Sequence, residues 1–178
     1  MSNLRLINQT DITSGVSKVN IEDVFSADYD IYKVVTSGIS TVGTAATDIN
    51  GRFINSSGSI VTTSSYDYAH FVLYTDGTTG NVADDDDDKF KRIFGDSADQ
   101  APEDTGSVVW FFNPYNSSLF TYALYQSMSA STGVRIFMKG ISVFNTVGSM
   151  SGFQVIDGNG SRPFAGGQIK TYGLRVDS

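Results

Sequence analysis

The sequence predicts an all-β fold: an antiparallel β-sandwich of jelly-roll type with one acidic loop insertion. Three observations carry this. Strong helix formers are scarce, with glutamate only at Glu22 and Glu103 and leucine only six times. Twelve Phe, nine Tyr and 18 Gly stand among many Ser, Thr, Val and Ile, the composition of pleated segments broken by turns. Proline is confined to Pro102, Pro114 and Pro163, so most of the backbone is able to join a hydrogen-bonded ladder. A chain of 178 residues is the length of one ordinary domain. Residues 1–178 are therefore read as a single sandwich, with 1–25 as an N-terminal arm and 77–106 as an acidic insertion.

Leu4 to Ile7 and Val16 to Ile21 read as short strands. Asn20 to Phe25 offers a competing single helical turn, with Asn20 as its N-cap. Tyr29 to Val35 has apolar residues on both faces, as in a strand covered on both sides. Gly38 to Thr47 is small and polar and reads as a loop. Ile49 to Ile54 and Ser59 to Thr63 flank the turn Asn55 to Gly58, a hairpin pattern. Tyr66 to Thr75 alternates cleanly, with Tyr66, Tyr68, His70 and Val72 on one face and Phe71 and Leu73 on the other. Within the insertion, Phe90, Ile93 and Phe94 have the spacing of a short helix. Val108 to Phe112 is a continuous apolar run and Leu119 to Gln126 alternates; a turn at Asn113 to Asn116 joins them as a hairpin. Val134 to Val147 is long for one strand, and Gly140 marks a candidate bulge. Phe153 to Ile156 and Ile169 to Val176 complete eight to ten strands. Trp110, Phe112, Phe71 and Leu73 are the expected core.

Composition excludes several chemistries. Without cysteine there is neither a disulfide framework nor a thiolate nucleophile. A single histidine, His70, excludes a two-His metal site within one chain. A formal charge of -7 and a pI near 4.4 oppose nucleic-acid binding. No apolar run of membrane-spanning length occurs. The opening Met-Ser-Asn-Leu-Arg lacks the apolar stretch of a signal peptide.

The candidate sites each have a plainer competitor. Asp84 to Asp88 is a run of five carboxylates. Asp84, Asp86 and Asp88 have the alternation of a calcium loop, but the glycine of that pattern is missing. The competing readings are a solvated loop, partly neutralised by Lys89, Lys91 and Arg92, and an electrostatic contact with a partner. His70 lies in a strand among tyrosines and reads as a packed imidazole rather than a general base, since no serine elbow motif occurs. Asp28, Asp30 and Asp67 flank apolar strands, but no spacing fixes them as a glycosidase pair. No phosphate-binding or dinucleotide-binding glycine pattern is present. Tyr115, Tyr122, Tyr125 and Trp110 could stack on a glycan, although sandwich cores use aromatics too. Tyr115, in a turn, and Tyr125 are carried as candidate ligand or partner contacts. From residues alone the reading reaches an acidic β domain with no cofactor, and stops.

Several strings go further. They are Ala27 to Lys33, Arg52 to Ser59 followed by Ser65 to Ala69, Trp110 to Tyr115, and the ending Lys170 to Ser178. Together they resemble a group of small virion proteins of tailed bacteriophages, especially marine phages such as cyanophages. The resemblance spans almost the whole chain and rests on strand and turn signatures. It implies a non-enzymatic virion structural protein, first a capsid decoration or head-surface protein. The alternatives are a tail-fibre or receptor-binding head and, in another class, a carbohydrate-binding module. The implied partners are the major capsid protein or tail components, a host-surface glycan, and further copies of the chain, with a homotrimer favoured. The implied location is the virion, assembled in the host bacterial cytoplasm. The absence of cysteine suits that reducing compartment.

Overall fold

In a computed structural model, residues 3–43, 46–97, 105–131 and 133–175 are described. They form twelve strands: β1 (Leu4–Asp11), β2 (Lys18–Ile21), β3 (Ile31–Thr41), β4 (Thr47–Asn55), β5 (Tyr66–Tyr74), β6 (Thr79–Asp87), β7 (Asp96–Ser97), β8 (Thr105–Phe112), β9 (Thr121–Ser131), β10 (Val134–Phe144), β11 (Met150–Asp157) and β12 (Phe164–Leu174). Eight strands make one sheet in the order β1-β12-β3-β8-β9-β10-β5-β6. Four make the other, β2-β11-β4-β7. Every ladder is antiparallel. The fold is thus a β-sandwich, and no described residue is helical. The strand order, eight against four, does not establish the jelly-roll winding expected from the sequence.

Aromatic rings fill the space between the sheets. The Phe53 ring on β4 lies 5.3–6.2 Å from those of Tyr66, Phe90, Phe111 and Phe144. Buried tyrosines satisfy their hydroxyls on the backbone. Tyr66 accepts from the Phe53 N–H at 3.0 Å and donates to the Val61 carbonyl at 2.9 Å. Tyr32 makes the same pair with Ser26, at 2.7 and 2.8 Å. These bonds offset the cost of taking a hydroxyl out of water.

Two strands turn the face opposite to the expected one inward. On β5, Tyr66, Tyr68, His70 and Val72 face the core, while Phe71 and Leu73 face outward, 42% and 44% exposed. On β8, Val109 and Phe111 are buried; Trp110 and Phe112 lie half-buried outside. Alternation separates a strand's two faces but does not say which one meets the second sheet.

Other expectations are corrected locally. Residues 90–94 form a turn, not a helix. Phe90 exchanges backbone bonds with Gly51 at 2.8 and 3.0 Å, and a positive φ at Arg92 and Gly95 turns Phe94 back into the core. Asn20 caps no helix; its side chain bonds Gln154 on β11. The expected loop after Gly38 begins later, because β3 runs to Thr41 across a bulge and buries Ile39. Ser59 to Thr63 contributes a single bridge, Ile54 to Ile60, rather than a strand. Gly140 marks no bulge: β10 keeps register with both neighbours throughout. A Cβ at this position would overlap the Tyr125 ring, so Gly140 serves close packing instead. Residues 4–21, expected as an arm, are woven into both sheets through β1 and β2. Thr44, Ala45, Pro102, Glu103, Val176 and the last residues of the resembling terminal string lie outside the described residues.

Candidate functional site

Thr79–Asp87 of the acidic insertion is an edge strand rather than a free loop. β6 pairs with β5, and the register slips between Tyr66 and Tyr68, where Asp86 takes a φ of 56°. Three of the five carboxylates, those of Asp84, Asp87 and Asp88, have side-chain partners. Asp84 and Asp87 both accept from the Tyr68 hydroxyl, at 3.4 and 3.2 Å. Those anions and burial together push the Tyr68 phenol up, burial most strongly. Asp86 donates its backbone N–H to Asp67 at 3.0 Å. Asp88 pairs with Arg52 and with Lys89. Of the three calcium candidates, Asp84 and Asp88 are thus engaged with different partners. Among the described residues no group of three or more His, Asp or Glu is arranged to hold a metal ion.

The other candidates divide sharply. Tyr125 is 2% exposed and faces the core, which removes it as a surface contact. Its hydroxyl shares a hydrogen bond with His70 Nδ1 at 3.0 Å. Burial lowers His70 to about 4, with the Arg92 charge adding to the effect. The imidazole is 4% exposed, on the inward face of β5. Asp67 is held by Asn145 Nδ2 at 3.0 and 3.2 Å. Asp28 bonds Ser26 in the loop before β3. Nothing joins these two carboxylates across a cleft. Tyr115 lies in the turn after β8, 39% exposed, beside Tyr29, Asp30 and Asn116.

A second polar cluster lies between the sheets. Arg92 Nε sits 2.8 Å from Asp48 and 3.0 Å from the buried Asp96. Burial raises Asp96 to about 7, although Arg92 opposes it, because that one guanidinium also serves Asp48. Thr36–Ser107 and Thr41–Ser97 hydroxyl pairs, at 2.8 and 2.9 Å, continue this polar layer.

The largest uncommitted feature is the outer face of the eight-stranded sheet. One row of paired residues runs Tyr172, Lys33, Trp110, Leu124, Ile141, Ala69 across six strands. The next carries Ile31, Phe112, Tyr122 and Val143. On the other side of the first row run Lys170, Val35, Val108, Gln126, Lys139 and Phe71, and beyond it lie Met128, Phe137 and Leu73. Ile141 is 59% exposed, and Leu124, Tyr122, Met128 and Phe137 are exposed too. A groove of about 380 Å³ crosses the face between Tyr122, Leu124, Ile141 and Val143, with Asp67 and Asp84 at its rim. Lys33 lays its ammonium 5.4 Å from the Trp110 ring centroid. Contiguous exposed apolar patches are where interaction surfaces are sought. Sequence reading missed it as a site, because Phe71, Leu73, Trp110 and Phe112 were assigned to the core. The signal was present: strands apolar on both faces are covered on both faces. No protein-family model, curated protein or solved structure matches this chain.

Proposed function

We propose that this chain is a non-enzymatic structural subunit of a tailed-phage virion, acting as a capsid decoration or head-surface protein. The observation that carries the reading is the apolar outer face of the large sheet, a surface built for assembly rather than for turnover. Three facts support it. The one histidine is buried and neutral. Asp67, Asp87 and Asp88 are engaged with asparagine, tyrosine, arginine and lysine partners. The strings Ala27 to Lys33 and Trp110 to Tyr115, on which the resemblance to small phage virion proteins rests, lie in and beside β3 and β8 of this sheet. The acidic margin of β5 and β6 keeps particles apart by like-charge repulsion.

The test is immunogold labelling of phage particles from lysates of cells carrying this gene, with antibodies raised against the purified chain. The reading requires label on intact particles, concentrated on heads. Label only in the soluble fraction overturns it. Label at the tail tip moves the chain to the fibre alternative.

A further inference from the structure

We propose that the cleft between the loop preceding β3 and the turn following β8 is a binding site for one neutral sugar ring. The cleft is built from loops, apart from the outer sheet face, and serves whether or not the chain belongs to a virion.

The strand pairing brings its two walls together. β3 and β8 are neighbours, and Ile31 pairs with Phe112. The residues entering β3 therefore lie beside those leaving β8. Asn113 donates its backbone N–H to the Asp30 carbonyl at 2.7 Å, which ties the two segments to each other. Both are also tied to the interior. The buried Tyr32 hydroxyl holds the backbone of Ser26. The Pro114 carbonyl accepts from the Met150 N–H of β11 at 2.8 Å. The Tyr29 ring lies over the backbone of Gly173 on β12, where an added Cβ would come within 2.6–2.7 Å of its carbons, and meets the Tyr32 ring edge-on at 5.7 Å. Walls anchored in this way spare a ligand the cost of ordering them.

The groups facing the cleft are left over from folding. Among the described residues, the Asp30 carboxylate, the Asn113 side-chain amide and the Tyr29 and Tyr115 hydroxyls hydrogen-bond to no other protein group. Asn116 Oδ1 accepts from the Ser118 N–H at 2.9 Å, which leaves Nδ2 as a donor. The set thus combines an anionic acceptor, two amides, two phenols and aromatic surface.

That set selects its ligand by elimination. Among the described residues no lysine, arginine or histidine lines the cleft, so a phosphate or carboxylate finds no counter-charge. Ala27 is the one aliphatic side chain there, too little for an apolar ligand. A quaternary ammonium would use the tyrosine faces and Asp30 but leave both amides without a partner. A sugar ring uses everything: its hydroxyls donate to the carboxylate and exchange hydrogen bonds with the amides, and its C–H face lies against an aromatic ring. The cleft holds about 160 Å³, below the roughly 300 Å³ at which drug-sized sites begin, so it takes one ring rather than an oligosaccharide.

The experiment is a titration of the full isotope-labelled chain followed by its amide NMR shifts. Glucose, galactose, mannose and N-acetylglucosamine are the separate probes, taken to high millimolar concentration; choline chloride and sodium phosphate are run alongside. At least one sugar is expected to give saturable shifts centred on residues 26–30 and 113–116, and phosphate none. Asp30→Asn and Tyr115→Ala are each expected to weaken that sugar about 10-fold, by removing the charged acceptor or the aromatic face. Both residues are exposed, so far-ultraviolet dichroism should be unchanged. Ile141→Asp, on the outer face of β10, should bind as the parent does. The proposal is overturned if no sugar of the four binds, if the shifts saturate elsewhere, or if Asp30→Asn and Tyr115→Ala both bind as the parent does. Saturation by choline and not by sugar overturns it too, since the cleft is then an ammonium cage. None of these results bears on the immunogold test of virion assembly.

Discussion

The Tyr125 hydroxyl and His70 Nδ1 meet at 3.0 Å in the buried middle of the large sheet, over the backbone of Gly140. Burial holds this imidazole neutral down to about pH 4. An unfolded histidine takes up its proton near 6.5, so the unfolded chain binds more protons between those values. The contribution of His70 is complete above about pH 6.5 and is lost as pH falls toward 4, a range worth on the order of 3 kcal/mol. Asp96 has the opposite slope. Its carboxyl is raised to about 7, so its contribution is complete below the ordinary carboxylate range and is lost as pH rises toward 7. The two nearly cancel in the parent. Urea midpoints at pH 4.5 and 6.5 should therefore be similar for the parent, fall with pH for His70→Gln and rise with pH for Asp96→Asn. Parallel profiles for all three proteins would refute this coupling of burial to protonation.

Gly140 makes a second, purely steric prediction. A methyl group there collides with the Tyr125 ring and the His70 Cβ, both fixed inside the sandwich. Gly140→Ala should cost about 1–3 kcal/mol in urea unfolding, the usual range for overpacking. Adding Tyr125→Ala should reduce the cost of the same glycine replacement without abolishing it, because the His70 Cβ still lies 2.7 Å from the added methyl. An equal cost in both backgrounds would place the strain elsewhere.

The two faces of β5 and β8 make the third prediction. Phe111→Ala removes a fully buried ring that touches Phe53 and Phe153, and should cost about 3–5 kcal/mol. Phe71→Ala should cost under about 1 kcal/mol, because the ring is already exposed. Equal losses would mean that the outer face is packed within a single copy.

That pair also shows what the sequence made legible. Alternation at Tyr66 to Tyr74 and the hairpin from Val108 to Gln126 identified the strands, and therefore the sandwich, because period-two patterning is a local property. Which face turned inward was not local. It depended on Phe53, Phe90 and Phe153, which lie far away in sequence on the small sheet and its neighbouring turn. Phe90, Ile93 and Phe94 misled in the same way. Their spacing suits a helical turn, but the backbone bonds of Phe90 to Gly51 and Phe94 to Ile49 recruited them to the small sheet instead. The apolar outer face was written in Val108 to Phe112 as a run without polar alternation. It was assigned to the interior because the chain alone offered no other cover.

The acidic margin gives the last prediction. Five adjacent carboxylates would suit calcium only if several converged on one ion at about 2.3–2.6 Å. Three of them are already engaged by protein groups: Asp84 and Asp87 accept from Tyr68, while Asp88 pairs with Arg52 and Lys89. Calcium at millimolar concentration should therefore leave the melting temperature of the parent unchanged. The protein cations already present set the energetics. Asp88 lies below the usual carboxylate range; its own burial opposes this, and the Lys89 hydrogen bond and the Arg52 charge outweigh it. Because Asp88 is 38% exposed in its side chain, its replacement by Asn should cost no more than about 1 kcal/mol, less in high salt. The loss should vanish as pH falls through the carboxylate range, since protonation removes the charge that Arg52 and Lys89 stabilise. A melting rise with calcium in the parent, absent from Asp84→Ser and Asp88→Ser together, would instead show that the strand edge rearranges around an ion.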